Sequence, residues 1–259
     1  MMMATEKKNC RTIMVANARG GVGKTFLSIH LAYMLSELGK RVLLVDTDPQ
    51  GTVGLWLNQN SPVTLYHLVM GECSLSQCLV RYRDKFDLIL AKDYIKEAEL
   101  RMVGMVGREV VVRNKFEEFE VHDQYDFVIF DTSPSLSLLN QNVYMASEEV
   151  IIPVNMEPLA IVGASSIIES MLMVRKHLRH HISLLGIAPT FVNSQTNVAR
   201  QVLQLLTSSY DRVLPPLRAS VKVKEASGSL MTINEYDSRN KIIDDLKTLV
   251  GKVIAGGGV

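Results

Sequence analysis

The stretch that decides the fold runs Thr12-Ile13-Met14-Val15-Ala16-Asn17-Ala18-Arg19-Gly20-Gly21-Val22-Gly23-Lys24-Thr25-Phe26-Leu27. Residues 12–16 are an apolar run of strand length. They enter a turn containing Gly20, Gly21 and Gly23, and the turn opens into a segment whose Leu27, Leu31, Met34, Leu35 and Leu38 recur at helical spacing. Gly39 offers a left-handed stop for that helix, and the continuous apolar run 42–45 follows it. Strand, helix and strand in this order predict a right-handed βαβ unit.

Working outward, the alternation repeats. Runs 88–91, 127–130, 150–154 and 184–188 are apolar on both faces, as strands buried in a parallel sheet are. Helical patterns occupy 164–181, 198–206 and 238–254. The expected architecture is a doubly wound α/β fold, a mostly parallel sheet with helices on both faces. No internal repeat and no Pro/Gly/Ser-rich linker divides the chain, so residues 1–259 read as one domain with flexible ends at 1–10 and 255–259.

Composition narrows the function classes. With 47% hydrophobic and 21% charged residues, the chain can bury a core and does not fit a disordered class. Its 28 Lys and Arg nearly balance 27 Asp and Glu, so contact with a polyanion must come from a local patch. No apolar run approaches the roughly 18 residues of a spanning helix. Lys7, Lys8 and Arg11 ahead of apolar residues 13–16 imitate a secretory signal, but that run is far below the about 7–15 residues such a signal needs. Cys10, Cys73 and Cys78 form no even set and no CxxC pair, which suits a reducing, cytoplasmic setting.

Gly23-Lys24-Thr25 between a strand and a helix is the ending of a P-loop. Glycines let backbone N–H groups surround phosphate oxygens, and the helix N-terminus favours negative charge. Lys24 can reach the β- and γ-phosphates and Thr25 can ligate Mg²⁺. The strict pattern asks for a glycine ahead of four variable positions, five before Gly23; here that position is Ala18, and Arg19 comes next.

Arg19-Gly20-Gly21-Val22-Gly23-Lys24-Thr25 resembles the deviant Walker A motif of the ParA/MinD superfamily of ATPases. Val42-Leu43-Leu44-Val45-Asp46-Thr47-Asp48-Pro49-Gln50-Gly51 resembles its switch segment, and 125–135, with Asp131, its Walker B segment; these two narrow the resemblance to ParA. Similarity continues through 66–72, 152–154 and 223–226, so it spans nearly the whole chain in the family's order. The resemblance implies a Mg²⁺-dependent ATPase with ATP held by Arg19, Gly20, Gly21, Val22, Gly23, Lys24, Thr25, Phe26 and Asn193. It implies that Asp48 positions or activates the attacking water, that Asp46 supports the switch, and that Mg²⁺ is held by Thr25, Asp131 and Asp48. The family's signature lysine, which reaches across an ATP-sandwich dimer, is Arg19 here: charge is kept and geometry changes, because guanidinium is a planar fork. Phe26 stands where a second threonine is usual; it either contacts the phosphate wall or starts the apolar face of the helix. Base contacts are expected from 190–193 and 214–218.

The family also implies nonspecific DNA binding by an ATP-bound homodimer and stimulation by a ParB-like or cargo-bound adaptor. Between Met171 and Lys224 lie eight Lys and Arg against the single acid Asp211, a candidate DNA face for which Arg218, Lys222 and Lys224 are the chosen residues. The alternative is a MinD-like membrane-positioning ATPase, suggested by the apolar stripe Ile242, Ile243, Leu246, Leu249, Val250 and Val253, although Asp244 and Asp245 interrupt its positive charge. His177, His180 and His181 lack the further ligands of a metal site. The cysteines do not match an iron–sulfur protein, and no terminal tyrosine cluster marks a tyrosine kinase.

Overall fold

A computed structural model describes residues 10–135 and 137–256. Seven strands form one sheet: β1 (Arg11–Val15), β2 (Val42–Asp46), β3 (Leu79–Tyr82), β4 (Phe86–Ile89), β5 (Phe127–Asp131), β6 (Glu149–Asn155) and β7 (Ser183–Thr190). Their order is β3-β4-β2-β5-β1-β6-β7, and every pairing is parallel except β3 with β4. The expected doubly wound α/β fold is present. In β1, Ile13, Met14 and Val15 are almost wholly buried, which makes residues 12–16 the centre of a sheet.

One apolar cluster lies on each face of the sheet. On one face, the helix Lys24–Glu37 and the C-terminal helix Ile242–Ala255 pack together on inward residues such as Ile13, Val15 and Leu44. On the other, the helices Val111–Glu118, Leu138–Ala146 and Pro158–Leu178 cover Met14, Leu43, Val128 and Phe130. All six residues of the stripe singled out for membrane contact, Ile242 to Val253, are buried in the first cluster. No helix among the described residues is long and apolar enough to cross a membrane.

Several boundaries differ from expectation. The helix expected at 164–181 runs Pro158–Leu178: proline suits its first turn, and Arg179 ends it in a left-handed conformation. The helix expected from 238 begins at Ile242, because residues 237–241 form turns. Cys10 is buried beside β1 and Ala255 is still helical, so neither belongs to a flexible end; residues 1–9 and 257–259 lie outside the described residues. The short antiparallel edge strand β3 escapes periodicity because its four residues, Leu-Val-Arg-Tyr, carry no clear alternation.

The parallel register brings Val15 and Asp46 each opposite Asp131. The carboxyl ends of β1, β2 and β5 therefore open at one edge, where sheets of this kind hold ligands.

Candidate functional site

At that edge the chain leaves β1 through a turn that Asn17 organises. Its side-chain Nδ2 donates to the Pro153 carbonyl at the end of β6 (2.8 Å), and its Oδ1 accepts from the Arg19 backbone N–H (2.9 Å). Gly21 and Gly23 hold φ of +74° and +89°, the left-handed region. At Gly23 a Cβ would also sit 3.0 Å from the Phe191 ring, so both backbone and packing select glycine. Lys24 opens the helix and folds back, its Nζ donating to the carbonyls of Arg19 (2.9 Å) and Asn17 (3.3 Å). Burial pulls the Lys24 ammonium below its ordinary pKa, against the opposing pull of Asp131 and Asp48.

Three acids meet this turn. Asp131, wholly buried at the end of β5, accepts from the Thr25 hydroxyl (2.8 Å) and the Ser28 hydroxyl (3.0 Å). Burial pushes its pKa up to about 6, while the two hydroxyls and Lys24 favour its ionised form. Asp46, at the end of β2, accepts from the backbone N–H groups of Asp48 (3.0 Å) and Val53 (3.1 Å), which fixes the turn after the strand. Burial, reinforced by Asp131, holds Asp46 well above the usual carboxylate range. Asp48 reaches the cleft and accepts from the Gln50 N–H (2.9 Å). Gly51 completes that turn at φ +61°, and a Cβ there would meet the Ala91 carbonyl at 2.9 Å.

The loop and Asp48 line a cleft of about 1710 Å³, with Asp131 and Asp46 buried behind them. Gly20, Gly21, Gly23, Lys24, Thr25, Phe26 and Asp48 face Asn193, Gln195, Ala219, Val221 and Lys224 across it. Of the two segments expected near a base, residues 191–193 line this cleft, whereas Leu214 to Pro216 line a separate groove and residues from Ala219 to Ser227 form the neighbouring cleft wall. Val22 is buried beneath the loop, its carbonyl accepting from Thr190 (2.7 Å). Phe26 is 2% exposed and packs with His30, Trp56 and Phe191, whose ring centroids lie 4.6, 6.4 and 5.7 Å away. It thus starts the apolar face of the helix and forms part of the cleft floor.

Arg19 does not line its own cleft. Its stem lies against Gly163 of the helix Pro158–Leu178, and its guanidinium has no ion pair among the described residues. The DNA candidates are separated. Arg218 forms a bidentate pair with Asp245 (2.6 and 2.7 Å), Lys222 pairs with Glu225 (2.7 Å), and Lys224 faces the cleft. The His180 Nε2–H donates to the Ser147 carbonyl (2.7 Å), and among the described residues no three His, Cys, Asp or Glu gather as a metal cluster.

The donor set fits a nucleotide with Mg²⁺. Mg²⁺ prefers oxygen ligands and needs only one or two carboxylates when phosphates supply the rest, and Thr25, Asp131 and Asp48 are oxygen donors beside the loop. The Asn155 amide oxygen in the cleft wall has no hydrogen-bond partner among the described residues. Sequence reading missed Asn17, Ser28 and Trp56. Ser28, one helical turn after Lys24, and Asn17, between strand and glycines, carried a positional signal; Trp56 carried none.

A glycine loop joining β1 to a helix, with acids at the ends of β2 and β5, defines a P-loop nucleotide-binding α/β protein. The family described as an AAA domain matches residues 10–184. The sporulation initiation inhibitor protein Soj of Bacillus subtilis is 32% identical over 256 residues, 95% of this chain and 99% of that protein. The chromosome-partitioning ATPase Soj of Thermus thermophilus is 38% identical over 87% of this chain and 88% of its own length. The crystal structure of cobyrinic acid a,c-diamide synthase from Mycobacterium smegmatis, with bound ATP analog and magnesium, is similar at 30% identity and a TM-score of 0.76, covering 88% of this chain and 93% of that one. The chain belongs to the ParA/Soj family of partition ATPases.

Proposed function

We propose that this protein is a Mg²⁺-dependent ATPase that dimerises around ATP, binds duplex DNA without sequence preference and distributes a chromosome, plasmid or protein cargo in the cytoplasm. The observation that carries the catalytic part is the convergence of Lys24, Thr25 and Asp48 on one cleft, with Asp131 bonded to Thr25 behind it.

In this reading the backbone N–H groups from Gly20 to Thr25 and the Lys24 ammonium bind the phosphates. Thr25 and Asp131 hold Mg²⁺, with Asp48 completing the set. Bound Mg²⁺ neutralises phosphate charge as it develops. Asp48 orients the attacking water through its carboxylate, and Arg19, absent from the lining of its own cleft, supplies a guanidinium to the partner's phosphates. Val221 and Asn193 flank the base. Asp46 stays fixed by two backbone N–H groups and so couples movement of Asp48 to the helix Thr52–Leu57.

DNA contact through Arg218 and Lys222 requires each to exchange a carboxylate for a phosphate. The exposed Lys222–Glu225 pair contributes little, whereas the bidentate Arg218–Asp245 pair, with Asp245 only 15% exposed, is the costlier to break, and release of counterions from DNA must offset it. Lys224, in the cleft wall, would make that exchange sensitive to nucleotide. A ParB-like or cargo adaptor accelerates hydrolysis and resets the cycle.

The test is binding to nonspecific duplex DNA with ATP, ADP or no nucleotide across a salt series. ATP-selective, steeply salt-dependent binding that disappears when Arg218, Lys222 and Lys224 are changed together to Glu supports the proposal. An absence of binding at low salt defeats its DNA component.

A further inference from the structure

Gly163 lies in the second turn of the long helix Pro158–Leu178, buried and within a regular helical stretch. Alanine is the better helix former, so the backbone of the helix gives no reason for glycine there. The surroundings do. A Cβ at residue 163 would lie 2.2 Å from the Asn17 side-chain oxygen and 3.0 Å from the Arg19 Cγ. Asn17, the nearer neighbour, cannot yield freely. Asn17 is held at both ends of its amide, by the Pro153 carbonyl and the Arg19 N–H, and its own carbonyl accepts from Lys24.

We propose that Gly163 is a positioning residue for Arg19: the missing side chain lets the helix Pro158–Leu178 close on the Asn17–Arg19 turn and aims the guanidinium out of its own cleft. The proposal rests on the reading above that Arg19 acts on the partner's phosphates. Three observations converge on it. Arg19 is absent from the lining of its own cleft, its stem lies against residue 163, and its guanidinium has no ion pair among the described residues to aim it otherwise. Asn17 is the intermediary, because any shift of its Oδ1 releases the Arg19 N–H. The loop's phosphate-binding glycines lie further along the chain: Gly20 and Gly21 have open space around them, and the Gly23 neighbours are Phe191 and Thr190. Displacement at residue 163 therefore bears directly on the Asn17 and Arg19 side chains, and on the phosphate cradle only through the backbone carbonyls that hold Lys24.

The test is a double-mutant cycle on the full chain with Gly163→Ala, Arg19→Ala and the pair. The readouts are ATP turnover, ATP-dependent dimerisation by analytical ultracentrifugation and affinity for a fluorescent ADP. Gly163→Ala is expected to lower turnover about 10-fold or more, since misplacement by about 1 Å can cost about 100-fold, while ADP affinity stays within about twofold. In the Arg19→Ala background it adds no further loss of turnover or dimerisation. Wild-type behaviour of Gly163→Ala, or additive losses, overturns the proposal and leaves the Arg19 reading intact if Arg19→Ala alone is impaired. Normal turnover and dimerisation in Arg19→Ala overturn both. Should Gly163→Ala lose ADP binding, Asn17→Ala carries the test: it removes the oxygen at 2.2 Å, so adding Gly163→Ala must change nothing more, and an additional loss of turnover overturns the proposal.

Discussion

The phosphate end of the cleft and the basic segment 218–224 treat their charges in opposite ways. At the phosphate end, Lys24 is satisfied by loop carbonyls and Asp131 by two hydroxyls, all belonging to the turn or to the helix that follows it. In the basic segment, Arg218 is neutralised by Asp245 from the C-terminal helix, and Lys222 by Glu225 one turn along its own helix. The first arrangement leaves charge directed at a ligand without a competing counter-ion in direct contact. The second stores its charge in pairs that a ligand must break. A site built by adjacent residues is therefore ready before its ligand arrives, whereas a basic run is a binding face only to the extent that its own acids release it.

Four changes probe this contrast, from the largest expected effect to the smallest. Asp48→Ala leaves the loop, Thr25 and Asp131 in place, so nucleotide binding by calorimetry persists while ATP turnover falls about 10³-fold. Retained turnover would remove Asp48 from the chemistry. Lys24→Ala deletes the buried ammonium and lowers nucleotide affinity on the order of 100-fold, measured by the same calorimetry. A change of only a few-fold would show that the loop backbone suffices.

The third change concerns His30, which ties the helix after the phosphate loop to the chain just beyond the basic segment, at Ile233. Its Nδ1 faces the Phe26 carbonyl (2.7 Å), and its Nε2 accepts from the Ile233 N–H (3.0 Å), so the ring must be neutral. Burial pushes its pKa down to about 4. The unfolded chain, with a His pKa near about 6.5, binds the proton first as pH falls. His30 thus stabilises the fold fully above pH of about 6.5 and loses that contribution as pH drops towards 4, by about 2 kcal/mol between pH 7 and pH 5. Urea denaturation of wild type and His30→Gln at both pH values isolates the slope, and equal slopes would refute the assignment. The smallest effect is expected for Asp245→Ala, which frees Arg218. DNA affinity at low salt should rise a few-fold in the ATP state, because Arg218 no longer has to leave a carboxylate. No change would place Arg218 off the DNA face.

Legibility followed locality. Strand β1, the glycine turn and the helix after it could be read because the apolar period and the turn residues lie within a few positions of one another. Asp46 and Asp131 were legible as strand-end acids, yet their meeting through the register of β2 with β5 is a contact across 85 positions of chain. The start of the helix Pro158–Leu178 was misplaced because apolar periodicity is weak before residue 164, while proline sets the first turn. That the cleft wall is formed by 219–227 rather than 214–218 has a similar cause. Residues 212–218 lie along β7, with Val213 bridged to Ile187 and Arg218 to Val192, so that stretch is held at the sheet and the chain reaches the cleft only beyond it.

By itself the sequence determined the parallel α/β fold, the phosphate loop and the acids that face it, because backbone propensity, side-chain period and turn chemistry act over short spans. Tertiary structure alone decided which charges remain available. It paired Arg218 with Asp245, buried the C-terminal apolar stripe against the helix Lys24–Glu37, and placed Gly163 beneath Arg19. Ion pairing, burial and close approach depend on distance in space, and that distance is set by how helices and strands pack rather than by their order along the chain.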